Sequence, residues 1–300
     1  MAEATGNAVA PRRRGLEPGQ WALVALLAAA FAPGLLALER VWSSVPYYSH
    51  GYLVPLVSLL LAWREIPALR DAPAGRSAFG PPALALALAV YGAGVAAGLV
   101  EVQGLGIVAA VAATVLWLRG AEWLRRLAFP IAYLVFMVPL PDDWIQPLIL
   151  QLRLFVTEAA VLLLHAGGLP VLREGNVIAL PSGEALFVAE ACSGVTSLVT
   201  LTPLALLVAQ LTERSRWRRV VIVVSVVPIA LLFNLVRVLG TVVAAEHVGA
   251  ERATAGGMHD LAGLATYALG CLALLGVGAL CVGLVLVVAA RRRSHVHGRD

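Results

Sequence analysis

Three hundred residues with 60% hydrophobic and only 13% charged content exclude a soluble globular domain and leave an integral-membrane bundle. The formal charge of +4 comes from arginines that punctuate apolar runs, so it bears on membrane topology and argues against a nucleic-acid partner. Three cysteines are too few for a disulfide framework.

A bilayer core needs roughly 20 apolar residues per crossing helix. The chain opens on a basic tail, residues 1–20, with Arg12-Arg13-Arg14, expected to stay in the cytoplasm. A first span at 21–38 is too long for a signal-peptide core and is read as retained. Trp42, Tyr47 and Tyr48 then suit an outer interface. Further spans are expected at 51–63, 80–100, 104–118 and 127–140, with Arg64, Arg70, Arg76, Arg119, Arg125 and Arg126 marking the inner side.

The stretch 144–166 carries Gln151, Arg153, Glu158 and His165, all costly in lipid. Were it to cross, the basic loop 214–219 would fall outside, so it is expected as an amphipathic helix on the outer leaflet. Within a non-cytoplasmic insert of 141–189, residues 177–180 and 185–188 read as two short strands around a Pro181-Ser182-Gly183-Glu184 turn. Spans at 190–211, 220–244 and 260–290 complete the chain, followed by a basic cytoplasmic tail, 291–300. The expectation is an all-α polytopic protein of about eight spans over 21–290, both termini inside.

Three features carry possible chemistry. Cys192, in Glu190-Ala191-Cys192-Ser193-Gly194, opens an apolar helix, where the positive end of the helix favours a thiolate. Arg237 lies three residues after Asn234, on the same helix face. It stands 18 positions beyond Arg219, ~27 Å at the helical rise, which brings it to the outer leaflet. Cys192 lies 22 positions before Arg214, ~33 Å by the same measure, and reaches the same level. His259, beside Asp260, opens the last span and joins them. A thiol, a guanidinium and an imidazole at one membrane face suit acyl transfer: His259 moves the proton of Cys192, and Arg237 holds the oxyanion. Asn234, Glu190 and Asp260 are candidate supporting groups, as helix-bonding or capping residues or as tuners of the site. Cys271 and Cys281 read as apolar fillers of the last span. The tail pair His295 and His297 is insufficient for a metal site, and no cofactor or metal is expected.

These residues resemble the signature blocks of the exosortase/archaeosortase family. Ala191-Cys192-Ser193-Gly194, Asn234-Leu235-Val236-Arg237-Val238, and His259 followed by Gly263 are similar to three of them. Tyr48-Ser49-His50-Gly51-Tyr52-Leu53-Val54-Pro55, ending at Trp63-Arg64, resembles the family's Ser-His-Gly block. Phe129-Pro130 to Pro139-Leu140-Pro141 and Gly175-Asn176-Val177-Ile178 are similar to family sequences as well, so the likeness runs in order over about 40–275. The resemblance implies a Cys–Arg–His transpeptidase of the cytoplasmic membrane, linked to surface polysaccharide and protein sorting. Its substrates would be exported proteins with a C-terminal Pro-Glu-Pro-type motif, a transmembrane helix and a basic cluster, cut at the outer face and passed to an unknown acceptor. Cys192, Arg237 and His259 match its catalytic positions, and the His is closer to the bacterial branch; no fused periplasmic domain follows. His50 lies in a matched block without an assigned role.

Two other classes stay open: a polytopic transporter with a polar path through Arg237 and His259, and a non-catalytic assembly protein. A transporter would place polar groups near the midplane in repeated halves, whereas here they gather at one end.

Overall fold

The computed structural model describes residues 17–73, 75–188, 194–254 and 261–280. Glu190, Cys192, His259, Asp260, Cys281 and the histidine pair of the tail lie outside them. The chain divides into two compact units, one of 1–44 with 51–139 and one of 45–50 with 140–300.

In the first unit, α1 (Pro18–Ser44) is followed by a 3₁₀ turn, Pro46–Tyr52, whose last two residues belong to this unit, and by α2 (Leu53–Arg64). An antiparallel hairpin of α3 (Gly80–Ala97) and α4 (Val100–Arg119) comes next, and α5 (Ala128–Tyr133) continues into a 3₁₀ turn, Leu134–Met137. Pro33 sits inside α1, where it removes an N–H from the helical ladder. One turn is rebuilt by another helix: the Tyr91 hydroxyl accepts from Gly34 N at 3.1 Å and donates to Ala30 O at 3.2 Å. That hydroxyl is inserted between a helical donor and its usual acceptor four residues back, a recognised way to bend a helix. The α3–α4 hairpin closes tightly because Gly106 lets the Tyr91 backbone approach; a β-carbon there would stand 2.8 Å from Tyr91 Cα.

Two segments expected to span are shorter than a crossing. Helix α2 has 12 residues, ~18 Å, and the apolar helix at Ala128–Met137 is shorter still. Pro46 opens the turn before α2, Pro139 and Pro141 follow α5, and proline limits helix extension at both places. The two short helices pack on each other, and Ser58 Oγ donates to Pro130 O at 2.8 Å.

The second unit holds α6 (Asp142–Ala166), a three-stranded antiparallel sheet, α7 (Val195–Thr212), α8 (Arg216–Val224), α9 (Val226–Val248) and α10 (Leu261–Leu280). The strands β1 (Leu172–Glu174), β2 (Val177–Ala179) and β3 (Ala185–Phe187) lie in that order. The β2–β3 hairpin is the expected one. Strand β1 was not expected, because Leu-Arg-Glu carries no alternation; its two-residue Gly175-Asn176 turn was the available signal.

Among the described residues, seven helices are long and apolar enough to cross a membrane: α1, α3, α4, α6, α7, the 33-residue run of α8 and α9, and α10. The chain is therefore an all-α polytopic membrane protein with a small sheet, with seven such helices where about eight spans were expected. Helix α6 was expected as an amphipathic helix on the outer leaflet. Its 25 residues form one helix of spanning length, and Ile145, Ile149, Val156, Ala160 and Leu164 line a buried stripe. Its costly polar groups have partners in the sheet. Arg173 Nη1 pairs with Glu158 at 3.1 Å and Nη2 donates to Leu154 O, while the Arg153 guanidinium lies 5.8 Å from the Phe187 ring centroid. The second half of α6 is thus the sheet's support, which explains the polar residues that the sequence alone assigned to a membrane surface.

Candidate active site

The second unit builds its polar centre between two apolar cores strung along one long helix. Towards the Arg216 end, Ile222, Val226, Ile229 and Ala230 pack with Leu201, Ala205 and Ala209 of α7 and Leu274 of α10, with Cys271 at the margin. Towards the other end, Val238, Val242 and Ala245 pack with Val156, Ala160 and Leu164 of α6 and with Ile178, Leu186 and Val188 of the sheet segment. Asn234 and Arg237 fall in the interval between these clusters, Asn234 buried and Arg237 half-buried.

Each of the two contacts a different helix start. Helix α7 is entered through Gly194, whose φ of +84° is a conformation that favours glycine. Its open side faces Asn234: a β-carbon on Gly194 would stand 3.4 Å from Cβ and Nδ2 of Asn234, which is only 4% exposed. The half-buried Arg237 lies over the first described turn of α10. A β-carbon on Gly263 would stand 3.3 Å from both Cζ and Nη2 of its guanidinium. One face of α9 therefore touches the N-terminal ends of α7 and α10 together. Gly194 is the second residue after Cys192 and Gly263 the fourth after His259 in the chain.

The sheet leads into this centre. Val188 N donates to Asn176 O at 2.9 Å, so β3 stays paired up to the residue before the Ala189–Ser193 stretch. The β2–β3 turn is tied to the far end of α9, where Glu184 accepts from Ala250 N at 2.5 Å.

His50 belongs to the same compact unit as Asn234 and Arg237, although the intervening stretch 51–139 does not. Its Nδ1 lies 3.1 Å from Tyr47 O, which puts the ring proton on Nδ1. The adjoining Tyr48 hydroxyl accepts from Leu140 N at 2.9 Å and anchors this segment to the entrance of α6. Gly51, next in the block, belongs to the first unit and has a packing role. A β-carbon there would come within 2.3 Å of the Trp42 indole, whose Nε1 donates to Met137 O at 2.8 Å. Among the candidate residues, Asn234, Arg237 and His50 are placed by the structure; Glu190, Cys192, His259 and Asp260 are not among the described residues. Sequence reasoning missed Gly194 and Gly263 as contact surfaces for the polar pair, and no motif of theirs could have shown which side chain each one receives.

At the far end of α7, Glu213 is buried and its carboxylate meets Arg218 Nε at 2.8 Å. Arg219 donates to Glu213 O at 2.7 Å and to Gln210 Oε1 at 2.6 Å. Two of the four arginines in the 214–219 turn are thereby engaged within the protein, while Arg214 and Arg216 are exposed.

No curated protein and no solved structure matches this chain. A family model described as transmembrane exosortase does match, over residues 42–276, a stretch that includes Cys192, Arg237 and His259 together with the Asn234 and Gly263 positions just described. With more than half of its length matched in this way, the chain belongs to the transmembrane exosortase family.

Proposed function

We propose that this protein is a cysteine transpeptidase that cuts C-terminal sorting signals of exported proteins at the outer face of the cytoplasmic membrane. Cys192 is the nucleophile, His259 the proton carrier and Arg237 the oxyanion holder. The observation that carries this reading is the double contact of one α9 face, Asn234 against Gly194 and Arg237 against Gly263, because it gathers the three matched blocks around one point.

In the reaction, His259 accepts the Cys192 proton and Sγ attacks the scissile carbonyl carbon. The oxyanion forms beside the Arg237 guanidinium, in a place half shielded from water where such a charge pairing is strengthened. The C–N bond breaks, the amine leaves with the proton from His259, and a thioester remains on Cys192. An acceptor nucleophile then gives its proton to His259 and attacks the thioester, and the thiolate leaves. Asn234, buried beside Gly194, is positioned to orient the substrate carbonyl or the Cys192 loop. Glu190 and Asp260 set the charge around the pair. No metal or cofactor takes part.

The substrates on this reading carry a short Pro-Glu-Pro-type motif ahead of a transmembrane helix and a basic cluster. The cut would fall just above the lipid. The long α8–α9 run supports that depth: Arg237 is 21 positions beyond Arg216, ~32 Å, about one hydrocarbon core from the basic turn. Both termini and the basic turn are then cytoplasmic, and the released proteins belong to surface polysaccharide and protein export. This topology has eight crossings, made by the full-length helices other than α6 and by the segments around α2 and α5, which carry the chain across in broken helical pieces, while α6 stays on the outer side.

The test is a membrane-anchored reporter with such a tail, co-expressed with each variant. Cys192→Ala and Cys192→Ser should leave it full-length in the membrane, and Arg237→Ala and His259→Ala should do nearly the same. Normal processing by either cysteine variant would end the proposal.

A further inference from the structure

Among the described residues, no strand pairs with the outer edge of β3. In the β2–β3 ladder, Glu184, Leu186 and Val188 face the partner strand with their backbone groups: Leu180 N donates to Glu184 O, and Val188 N to Asn176 O. Antiparallel pairing alternates, so the N–H and C=O of Ala185 and Phe187 point away from β2. Both residues are exposed, and β3 is the terminal strand of the sheet. Exposed edges of this kind are templates for a further strand. Cys192 is five residues beyond Phe187 in the chain, at most ~18 Å when fully extended.

A charge accompanies the edge. Arg153 lies against the Phe187 ring, has no ion-pair partner among the described residues, and its buried Nε has no hydrogen-bond partner there. The residue of an added strand directly opposite Phe187 would share its face of the sheet, ~4.5–5.5 Å away between β-carbons. An acidic side chain at that position would therefore meet Arg153. The same geometry decides which residues tolerate proline. The residue opposite Phe187 uses its own N–H and C=O in pairing, while its two neighbours point their backbone groups outward, where a missing N–H costs nothing.

We propose that the free edge of β3 is the docking site for the substrate's recognition segment. That segment is an extended peptide added as a fourth strand, with an acidic residue opposite Phe187 held by Arg153 and prolines permitted on either side of it. This rests on the peptidase reading above and deepens it, since it names the surface that reads the motif rather than the groups that cut it.

The test uses full-length Cys192→Ala protein in detergent and a fluorescent synthetic peptide containing Ser-Pro-Glu-Pro-Ala, with binding read by anisotropy. N-methylation of the Glu nitrogen should weaken binding about tenfold. Replacing either proline by N-methylalanine should leave binding within about twofold. Glu→Gln in the peptide, or Arg153→Gln in the protein, should each cost about tenfold, and the two together little more than one alone. Phe187→Pro removes the outward N–H and should weaken binding about tenfold relative to Phe187→Ala, which removes the same ring but keeps the donor. The peptide arms leave the protein untouched, so a misfolded variant cannot produce the alternating pattern. Equal sensitivity at all peptide nitrogens, or no binding of the parent peptide, overturns the proposal. So does a protein dimer that dissociates on Phe187→Pro and takes up no peptide, because the edge then belongs to a second copy. Reporter cleavage by the wild type separates the two readings: cleavage without the alternation removes the docking site alone, and alternation without cleavage removes the peptidase.

Discussion

The contact between Gly263 and Arg237 gives the sharpest separation of structure from chemistry. Alanine at 263 places a methyl group 3.3 Å from Cζ and Nη2, a few tenths of an ångström inside comfortable contact, so the guanidinium must shift by about that much. The helix itself has no reason to object: an alanine in place of a helical glycine is neutral or stabilises by up to about 1 kcal/mol. A group that only fills space would absorb so small a shift. An oxyanion holder would not, because misplacement by ~1 Å costs catalysis about a hundredfold, and a few tenths should cost roughly three- to tenfold. Gly263→Ala is therefore expected to keep or raise Tm in detergent while lowering kcat on the reporter by about that factor, with KM little changed. Gly263→Val should approach the loss of Arg237→Ala, which as removal of an oxyanion-hole donor is about a hundred- to a thousandfold. The assay pairs reporter cleavage rates with thermal unfolding of the same preparations. Full activity in both Gly263 variants would refute the role given to Arg237. Losses of activity that merely track falling Tm would reduce Arg237 to a packing residue.

Other positions give further expectations. Gly194→Ala should destabilise by about 1 kcal/mol through its left-handed backbone rather than through crowding, and Gly194→Asn by less, as read by thermal unfolding. Tyr91→Phe removes a hydroxyl that bonds both Gly34 N and Ala30 O at the bend of α1 and should cost about 1–3 kcal/mol of stability. Glu213→Ala leaves Arg218 without its buried partner and should cost about 2–4 kcal/mol, whereas Glu158→Ala removes an exposed partner of Arg173 and should cost under about 1 kcal/mol.

The membrane class, the bundle and most helices were legible because 20-residue apolar runs have few alternative fates. Helix lengths near prolines were less so: hydropathy counts α2 and α5 as apolar, but Pro46 and the prolines after Met137 shorten them in ways that a window average does not register. The contacts of α6 were hidden for a different reason. Arg153 and Glu158 look like surface residues until their partners on β3 and β1 are known, and those partners come from strands whose pairing is not local to the helix. The relation of Asn234 to Arg237 could be read from their spacing, since three residues set one helix face. What each one touches could not, because Gly194 and Gly263 carry no side chain to signal a contact and act only by leaving room.

That lack of a side chain at the two contact points bears on how the site can work. A polar group pressed between two apolar cores must either be filled against or left with a space, and here the neighbours on both sides are glycines, so Asn234 and Arg237 approach the backbones of α7 and α10 directly. Approach to backbone, with no side chain between, fixes the position of both groups. At the basic turn, at the other end of α7, Arg218 and Arg219 are engaged by Glu213 and Gln210. On the proposed topology this halves the cationic groups that a substrate's basic tail would meet, leaving Arg214 and Arg216 exposed. Exposed charges are also screened over about 8–10 Å at physiological salt. Repulsion from the inner side therefore falls well short of excluding a tail whose recognition segment is held at the outer one. Replacing Glu213 with Gln should raise that repulsion, because the Arg218 charge is then uncompensated. The expected outcome is slower processing of a reporter with a strongly basic tail and unchanged processing of one with a neutral tail. Equal slowing of both would assign the effect to stability alone.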